Sequence, residues 1–278
     1  MLEILKAIVQ GIVQGITEWL PISSTGHMLL LDKFMPMNAA SGKTFFDVFK
    51  VLIQLGSILA VVVLYFHKLN PFSPKKSQQE KKQTLSLWGK VLVASIPAGV
   101  AGLLLENLID GVLSSSYVIA AALIVYGILF IVMENGRRKP RIATLEQMDY
   151  GTAFGIGMFQ MLALIPGTSR SGSTILGATL LGTSRTVAAE FSFFMAIPVM
   201  AGASAYKMLK LLVEGISFTG LEWATLLTGM VVAFVVSLLV IRFLMNYIKK
   251  HDFKVFGYYR IVLGALVLFL GALGVLTD

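Results

Sequence analysis

Six stretches of this chain, about residues 45–66, 85–105, 117–133, 186–208, 221–243 and 255–276, approach or exceed the roughly 20 apolar residues that cross a bilayer. In hydrocarbon the backbone must satisfy its own hydrogen bonds, so such runs fold as helices. With 56% hydrophobic and 14% charged residues among 278, and a mean hydropathy of +0.80, the chain is too apolar for a soluble domain. Its formal charge of +8 does not point to nucleic acid, because Lys and Arg concentrate in short segments between the apolar runs. The absence of cysteine excludes disulfides, thiolate catalysis and cysteine-ligated metal, and leaves the redox compartment open. "MLEILKAIVQG" has an early acidic residue and no small-residue cleavage site, so it reads as retained structure and not as a signal peptide.

Two further regions, residues 2–35 and 150–182, have a different pattern. In each, an apolar helix is stopped by proline, followed by a Ser/Thr/Gly loop ("PISSTGH" or "PGTSRSGST") and a short second helix. Arms as short as Thr25 to Met35 cannot cross, so both regions are expected to be re-entrant hairpins. Residues 67–86, "ENGRRKPR" and "RFLMNYIKKHDFK" then fall on one side, which is expected to be cytoplasmic, with both termini outside. "ENLIDGVLSSS", the stretch around Lys33 and Lys43, and "YKMLKLLVEGISFTG" carry far fewer basic residues.

A hairpin followed by three spans occurs twice. Pro21 and Pro166 lie 145 residues apart, as do Ser24 and Ser169, and Asp47 and Glu190 open the next helix of each half. An odd number of spans per half turns the second half upside down. The expected fold is therefore an all-α integral membrane protein of six transmembrane helices plus two re-entrant helical hairpins, arranged as an inverted-topology repeat. The halves are approximately 1–134 and 150–278, joined by a basic cytoplasmic linker at 135–149 in a single membrane domain. The two hairpin tips would meet near the midplane.

Lys6, Gln10, Gln14 and Glu18 recur every four residues and share one helix face. Glu18, one turn before the break, needs a partner at that depth. Either a cation shared with the Gln14 carbonyl oxygen, Mg²⁺ or Ca²⁺ by ligand chemistry, or Arg170 satisfies it. Ser23, Ser24 and Thr25 stand where a helix begins. One of them is expected to be the N-cap, and three hydroxyls exceed what a cap needs. His27 follows Ser24 by one turn and is a candidate acceptor for its proton, whereas His67 and His251 sit in basic loops. At the second tip Gly167 and Gly172 allow close backbone approach, and Thr168, Ser169, Ser171, Ser173 and Thr174 offer hydroxyls. Arg170 offers a planar fork that matches a phosphate edge, beside the N–H groups of a helix start. Together the tips suit a polyanion, and a phosphate better than a carboxylate.

Other polar and small residues read as structural. Gly11-x-x-x-Gly15 and Gly151-x-x-x-Gly155 are expected to pack the first arm of each hairpin closely against neighbours. Asp47, Gln54, Arg185 and Glu190 are expected to bond within the bundle or near the tips, Glu190 nearest the site, and Arg260 to snorkel.

At these residues the sequence resembles the bacterial undecaprenyl pyrophosphate phosphatase family, also known through bacitracin resistance. The first family signature, Glu or Gln, three residues, then Glu, stands here as "QGITE" before "PISSTGH", and the second, Pro-Gly-x-Ser-Arg-Ser-x-x-Thr, stands complete as "PGTSRSGST". "FKVLIQLGSILAVV" and "AAEFSFFMAIPVM" also look like family segments, so the resemblance covers nearly the whole chain. Gln14 stands where many members carry Glu, leaving one fewer negative charge for a metal.

The resemblance implies a membrane enzyme that hydrolyses undecaprenyl diphosphate to undecaprenyl phosphate and inorganic phosphate, recycling the lipid carrier for peptidoglycan synthesis. It carries function onto Gln14, Glu18, Ser23, Ser24 and His27 in the first motif and onto Ser169, Arg170 and Thr174 in the second. The expected mechanism has Ser24 attacking with His27 as base and later acid, Arg170 on the terminal phosphate and a cation at Glu18. His27 itself and a metal-activated water are the rival nucleophiles. Bacitracin would compete indirectly by sequestering the substrate, the site would open to the periplasmic side, and a homodimer is among the expected assemblies. An inverted-repeat transporter or flippase for an anionic or polyprenyl phosphate substrate is the competing class.

Overall fold

A computed structural model describes residues 1–37, 40–105, 115–136 and 139–276, apart from the side chains of Thr25 and Lys43. Most of the expected connection "ENLIDGVLSSS" and the adjacent arginines of "ENGRRKPR" lie outside the described residues. Within them the protein is all-helical, and six helices are long and apolar enough to cross a membrane.

The chain opens with α1 (Leu2–Thr17) and α2 (Ser24–Phe34), followed by α3 (Gly42–Leu64), the short α4 (Phe66–Leu69), α5 (Gln78–Leu104) and α6 (Ser116–Asn135). The second half holds α7 (Tyr150–Met161), ending in a 3₁₀ turn at Leu162–Leu164, then α8 (Arg170–Leu180), α9 (Arg185–Val213), α10 (Gly220–Ile248) and α11 (Lys254–Ala272). The six long helices are α3, α5, α6, α9, α10 and α11, as the apolar runs predict. Several extend beyond those runs because caps, not hydropathy, end a helix. Ser77 and Glu80 form a capping box that starts α5 seven residues before the apolar stretch, and a second box of Thr219 and Glu222 starts α10 at Gly220. Asp149 caps α7 by accepting from the Thr152 N–H at 2.6 Å, and that bond holds its carboxyl below the usual range.

The long helices bury one face and turn the other outward as an apolar surface: Val231, Leu239, Val262 and Phe269 are each more than 60% exposed. Inside, Trp19 is fully buried and meets Phe193 edge-on at 5.2 Å, so the first tip packs against α9. The halves interlock. α1 lies along α10 of the other half, and α7 lies along α5. Gly11 and Gly15 permit the first of these approaches, since a Cβ on either would lie within 2.9 Å of a carbonyl oxygen of α10. In the second the close residue is Gly157, where a Cβ would overlap the Ala94 carbonyl; Gly155 only faces Leu181, and Gly151 is not closely approached. The spacing pattern therefore picked the wrong glycines in α7, because it could not show which face meets α5.

The basic segments gather at one end. There Lys68 pairs with Glu190, Arg185 with Glu134, and Lys90 donates to the Leu145 carbonyl. The end of α8 lies at the same end, joined by the Arg141 N–H to Gly182 and the Ser184 N–H to Ile142. At the other end of α10, Ser41 donates to Glu222, and Lys6 ties the start of α1 to the Pro36 carbonyl just beyond α2. Glu190, expected near the site, instead belongs to the basic end: it lies little more than one turn into α9, beside Lys68.

Candidate active site

Two serines with an unusual backbone begin the short helices α2 and α8. Ser23 has φ 76° and Ser169 φ 73°, the only non-glycine residues with positive φ among those described. Each cap oxygen accepts the N–H three residues on, Gly26 at 3.3 Å and Gly172 at 3.1 Å. Such left-handed conformations cost on the order of 1–3 kcal/mol in a residue with a side chain and cluster at functional sites. The matched caps are 146 residues apart and set the register between the tips, so the first helical residues correspond: Ser24 in α2 and Arg170 in α8. The sequence reading paired Ser24 with Ser169 at 145. The extra residue in the loop after Pro166 accounts for the difference.

Ser24 and Arg170 meet at Glu18. One carboxylate oxygen, Oε1, accepts Arg170 Nη2 at 3.0 Å and Nε at 3.3 Å. The other, Oε2, accepts the Ser24 hydroxyl at 2.7 Å and Gln14 Nε2 at 3.0 Å. Arg170 also donates to the Ser192 carbonyl at 2.7 Å and lies over the Trp19 ring at 5.5 Å. Glu18 is 3% exposed and Arg170 10%, so the pair is shielded from solvent.

Around it is a cavity of about 200 Å³ with two kinds of wall. Glu18, Ser24, Gln54, Gln160, Ser169 and Arg170 supply polar groups. Ala98, Leu164, Val199, Met200 and Ala203 supply an apolar wall from α5, the α7–α8 loop and α9. Both helix N-termini, with their unpaired N–H groups, begin at this cavity, so an anion there meets positive partial charge from two directions.

The expected site residues divide. Ser23, Gly167 and Ser169 line the cavity with Glu18, Ser24 and Arg170. Four of the expected phosphate-binding hydroxyls are turned into the protein. Thr168 bonds the Leu162 and Ile165 carbonyls, and Ser171 reaches across to the Glu18 carbonyl at 2.9 Å. Ser173 meets the Tyr126 hydroxyl, and Thr174 meets the Ser192 hydroxyl at 2.6 Å. These groups hold the tip instead of facing the cavity. The Thr25 side chain lies outside the described residues.

His27 does not stand beside Ser24 as its proton acceptor. Its Nδ1 lies 2.6 Å from the Ser23 carbonyl, which can only accept, so Nδ1 carries the proton. In the neutral ring Nε2 accepts from the Tyr259 hydroxyl at 2.7 Å, with the two rings stacked at 5.7 Å. The group that receives the Ser24 hydrogen bond is Glu18.

Arg260 also departs from expectation. A snorkelling arginine would reach the surface, but this one is 0% exposed. Its guanidinium donates to Gly167 O at 2.9 Å and Pro21 O at 3.0 Å, and more weakly to the Ala122 and Leu123 carbonyls. It thus clamps the two tips to each other and to α6. Nothing in the local sequence distinguishes it, since its partners are main-chain oxygens far away in the chain. Gly167 is fixed by the same junction: at φ +96°, a Cβ on it would lie 2.5 Å from the Ile119 carbonyl oxygen.

A cation beside Glu18 would find few anionic ligands. Among the described residues no three His, Cys, Asp or Glu side chains converge. The Gln14 Oε1 atom is buried without a hydrogen-bond partner, adjacent to the carboxylate, so an oxygen donor is free there. Mg²⁺ characteristically takes one or two protein oxygens and completes its shell with water and substrate phosphate; the Gln14 Oε1 atom fits as one such ligand, whereas Glu18, whose two oxygens already accept four hydrogen bonds, would ligate only by giving up the Ser24 and Gln14 donors at Oε2.

The model of the family described as bacitracin resistance protein BacA matches residues 7–266. The chain is 61% identical over 268 residues to undecaprenyl-diphosphatase 1 of Clostridioides difficile, covering 96% of each chain. It is 58% identical to the undecaprenyl-diphosphatase of Lactiplantibacillus plantarum, covering 96% of this chain and 98% of the relative. To that of Enterococcus faecalis it is 57% identical, covering 98% of each. A match that takes in both tips, the cavity between them, five of the six long helices and most of the sixth settles the kinship: this chain belongs to the bacitracin resistance protein BacA family.

Proposed function

We propose that this protein hydrolyses undecaprenyl diphosphate to undecaprenyl phosphate and inorganic phosphate in the bacterial cell membrane. The observation that carries the reading is the Ser24 hydroxyl donating to Glu18, which is itself paired with Arg170, at a cavity lined by both polar and apolar residues. A diphosphate head suits the polar lining groups and the first isoprene units suit the apolar ones. The relatives' names favour hydrolysis over carriage, and a carrier needs no hydroxyl held on a carboxylate.

Ser24 Oγ attacks the terminal phosphorus while its proton passes to Glu18 Oε2. The Oγ–P bond forms, the bridging P–O bond breaks, and the polyprenyl monophosphate leaves with the proton returned by Glu18. Water then attacks the phosphoserine as Glu18 takes its proton. The Oγ–P bond breaks, Ser24 regains a proton and inorganic phosphate departs. Arg170 and the two helix N-termini hold the phosphate oxygens, and each such preorganised donor is worth about 3–4 kcal/mol where charge develops. Glu18, with the Gln14 oxygen, would hold a divalent cation, Mg²⁺ or Ca²⁺, which supplies neutralisation of phosphate charge when bound. His27 keeps Ser23, and through it the start of α2, in place.

The fold this implies is an inverted repeat. Under exchange of the halves, the contact of α1 with α10 becomes that of α7 with α5, while α6 with α11 maps onto itself. Both hairpins are re-entrant, the second entering from the basic, cytoplasmic end and the first from the opposite face, so the site opens to the periplasmic or extracellular side.

The test is phosphate release from undecaprenyl diphosphate by purified protein, with and without chelator, alongside Ser24→Ala. Full activity in Ser24→Ala would remove the serine mechanism, and no release by the wild type under either condition would remove the phosphatase reading. Phosphoserine trapped at Ser24 supports it. For topology, a cysteine at position 32 should be labelled from outside the cell; labelling only from the cytoplasm reverses the assignment.

A further inference from the structure

Gln160 stands in the last turn of α7, 2% exposed, on the wall of the cavity that also holds Glu18, Ser24 and Arg170. Neither its Nε2 nor its Oε1 has a hydrogen-bond partner among the described residues. Burying an unpaired amide is unfavourable, and Gln160 differs from the other unpartnered amide that is buried on both atoms, Gln10, in lining the cavity, where a ligand can complete it.

The register of the tips shows how this amide came to be free. Gln14 and Gln160 are 146 residues apart, as are the caps Ser23 and Ser169 and the close-packed Gly11 and Gly157. Four residues after Gln14 comes Glu18, whose Oε2 accepts the Gln14 amide at 3.0 Å. Four residues after Gln160 comes Leu164, which accepts nothing from its side chain and lines the same cavity. The second hairpin keeps the donor and has an apolar residue in place of its anionic acceptor.

We infer that Gln160 is a substrate-binding residue whose Nε2 donates to an anionic, non-bridging oxygen of the diphosphate, the substrate supplying the acceptor that Glu18 supplies to Gln14. A neutral amide suits this place. It binds an oxygen of the head without adding a second fixed charge that would hold the phosphate product.

This rests on reading the cavity as a diphosphate site, and the experiment separates the two. Gln160→Met removes the amide at nearly constant volume, and Gln160→Glu sets an anion against the anionic head. For each purified variant one measures the melting midpoint without substrate, KM and kcat for undecaprenyl diphosphate, and the inhibition constant of inorganic pyrophosphate. Because the amide has no partner in the protein, Gln160→Met should melt at or above the wild-type temperature. Its KM and pyrophosphate inhibition constant should rise about tenfold to a hundredfold, the weight of one hydrogen bond to a charged group. Gln160→Glu should be worse than Gln160→Met. Unchanged constants in Gln160→Met, or a loss that follows a lowered melting midpoint, overturn the inference. Failure of the wild type to release phosphate would instead overturn the diphosphatase reading.

Discussion

Replacing Glu18 with Gln changes one atom and reverses two hydrogen bonds. In the wild type Oε1 takes two donors from Arg170 and Oε2 takes the Ser24 hydroxyl and the Gln14 amide. A glutamine at 18 keeps its carbonyl oxygen toward Arg170, so that contact survives without its charge. The new NH₂ must then face Ser24 and Gln14. Ser24 becomes an acceptor, and Gln14 must turn its amide over so that Oε1 takes the new donor. Removing one partner from a buried ion pair costs about 3–5 kcal/mol, and the surviving contact puts this case near the lower end, about 3 kcal/mol. The chemical loss is larger in effect, because general-base assistance contributes roughly 10²–10⁴ in rate.

Glu18→Gln should therefore remain folded in detergent with a lowered melting midpoint and lose about 10²–10⁴ in kcat, with a smaller change in KM, in a phosphate-release assay. His27→Gln is the control. It loses hydrogen bonds to the Ser23 carbonyl and Tyr259, about 1 kcal/mol each, and should slow turnover by about tenfold. If His27→Gln is as slow as Glu18→Gln, or if Glu18→Gln stays within about threefold of wild type, the assignment of proton transfer to Glu18 is wrong. Recovery of Glu18→Gln at raised Mg²⁺ would move the loss from proton transfer to cation binding.

Arg260→Met leaves the Pro21 and Gly167 carbonyls without their donor, and at about 1–3 kcal/mol for each buried group the midpoint should fall by the equivalent of roughly 2–6 kcal/mol, with both tips losing order; an unchanged midpoint contradicts the clamp. Thr174→Val removes a hydroxyl bonded inside the protein, so it should lower stability while leaving the KM of the folded fraction unchanged, whereas Arg170→Lys should raise KM because a point charge cannot reproduce the fork. Gly157→Val should prevent α7 from seating against α5 and abolish folded protein in detergent, while Gly151→Val should be tolerated. The Asp149 carboxyl is held low by its cap bonds, so its contribution to stability is present above the unfolded value of 3.8 and is lost as pH falls through the folded value; Asp149→Asn should flatten that acid limb of a melting profile relative to wild type.

The spans were legible because burial in lipid acts on every residue of a long run, and composition alone reports it. The two tips were legible for a related reason: a hydroxyl-rich loop with an arginine between apolar arms is unfavourable unless it has partners. The sequence could not show which partners, because side-chain direction at a helix start depends on one backbone torsion. Ser23 and Ser169, by taking positive φ, turn the following residue into the cavity, which places Ser24 on Glu18 and the His27 ring elsewhere. Spacing on an ideal helix puts Ser24 and His27 on one face, but it does not include the Ser23 carbonyl, which takes the imidazole proton. Arg260 and Gln160 escaped for the converse reason. One is defined by distant main-chain oxygens and the other by having no partner, and neither relation leaves a local pattern. Once the serine caps set the register, the second becomes visible in sequence after all. Gln14 with Glu18 stands at the same spacing as Gln160 with Leu164, so the Leu in place of Glu marks where the two tips differ and leaves the Gln160 amide without a partner among the described residues.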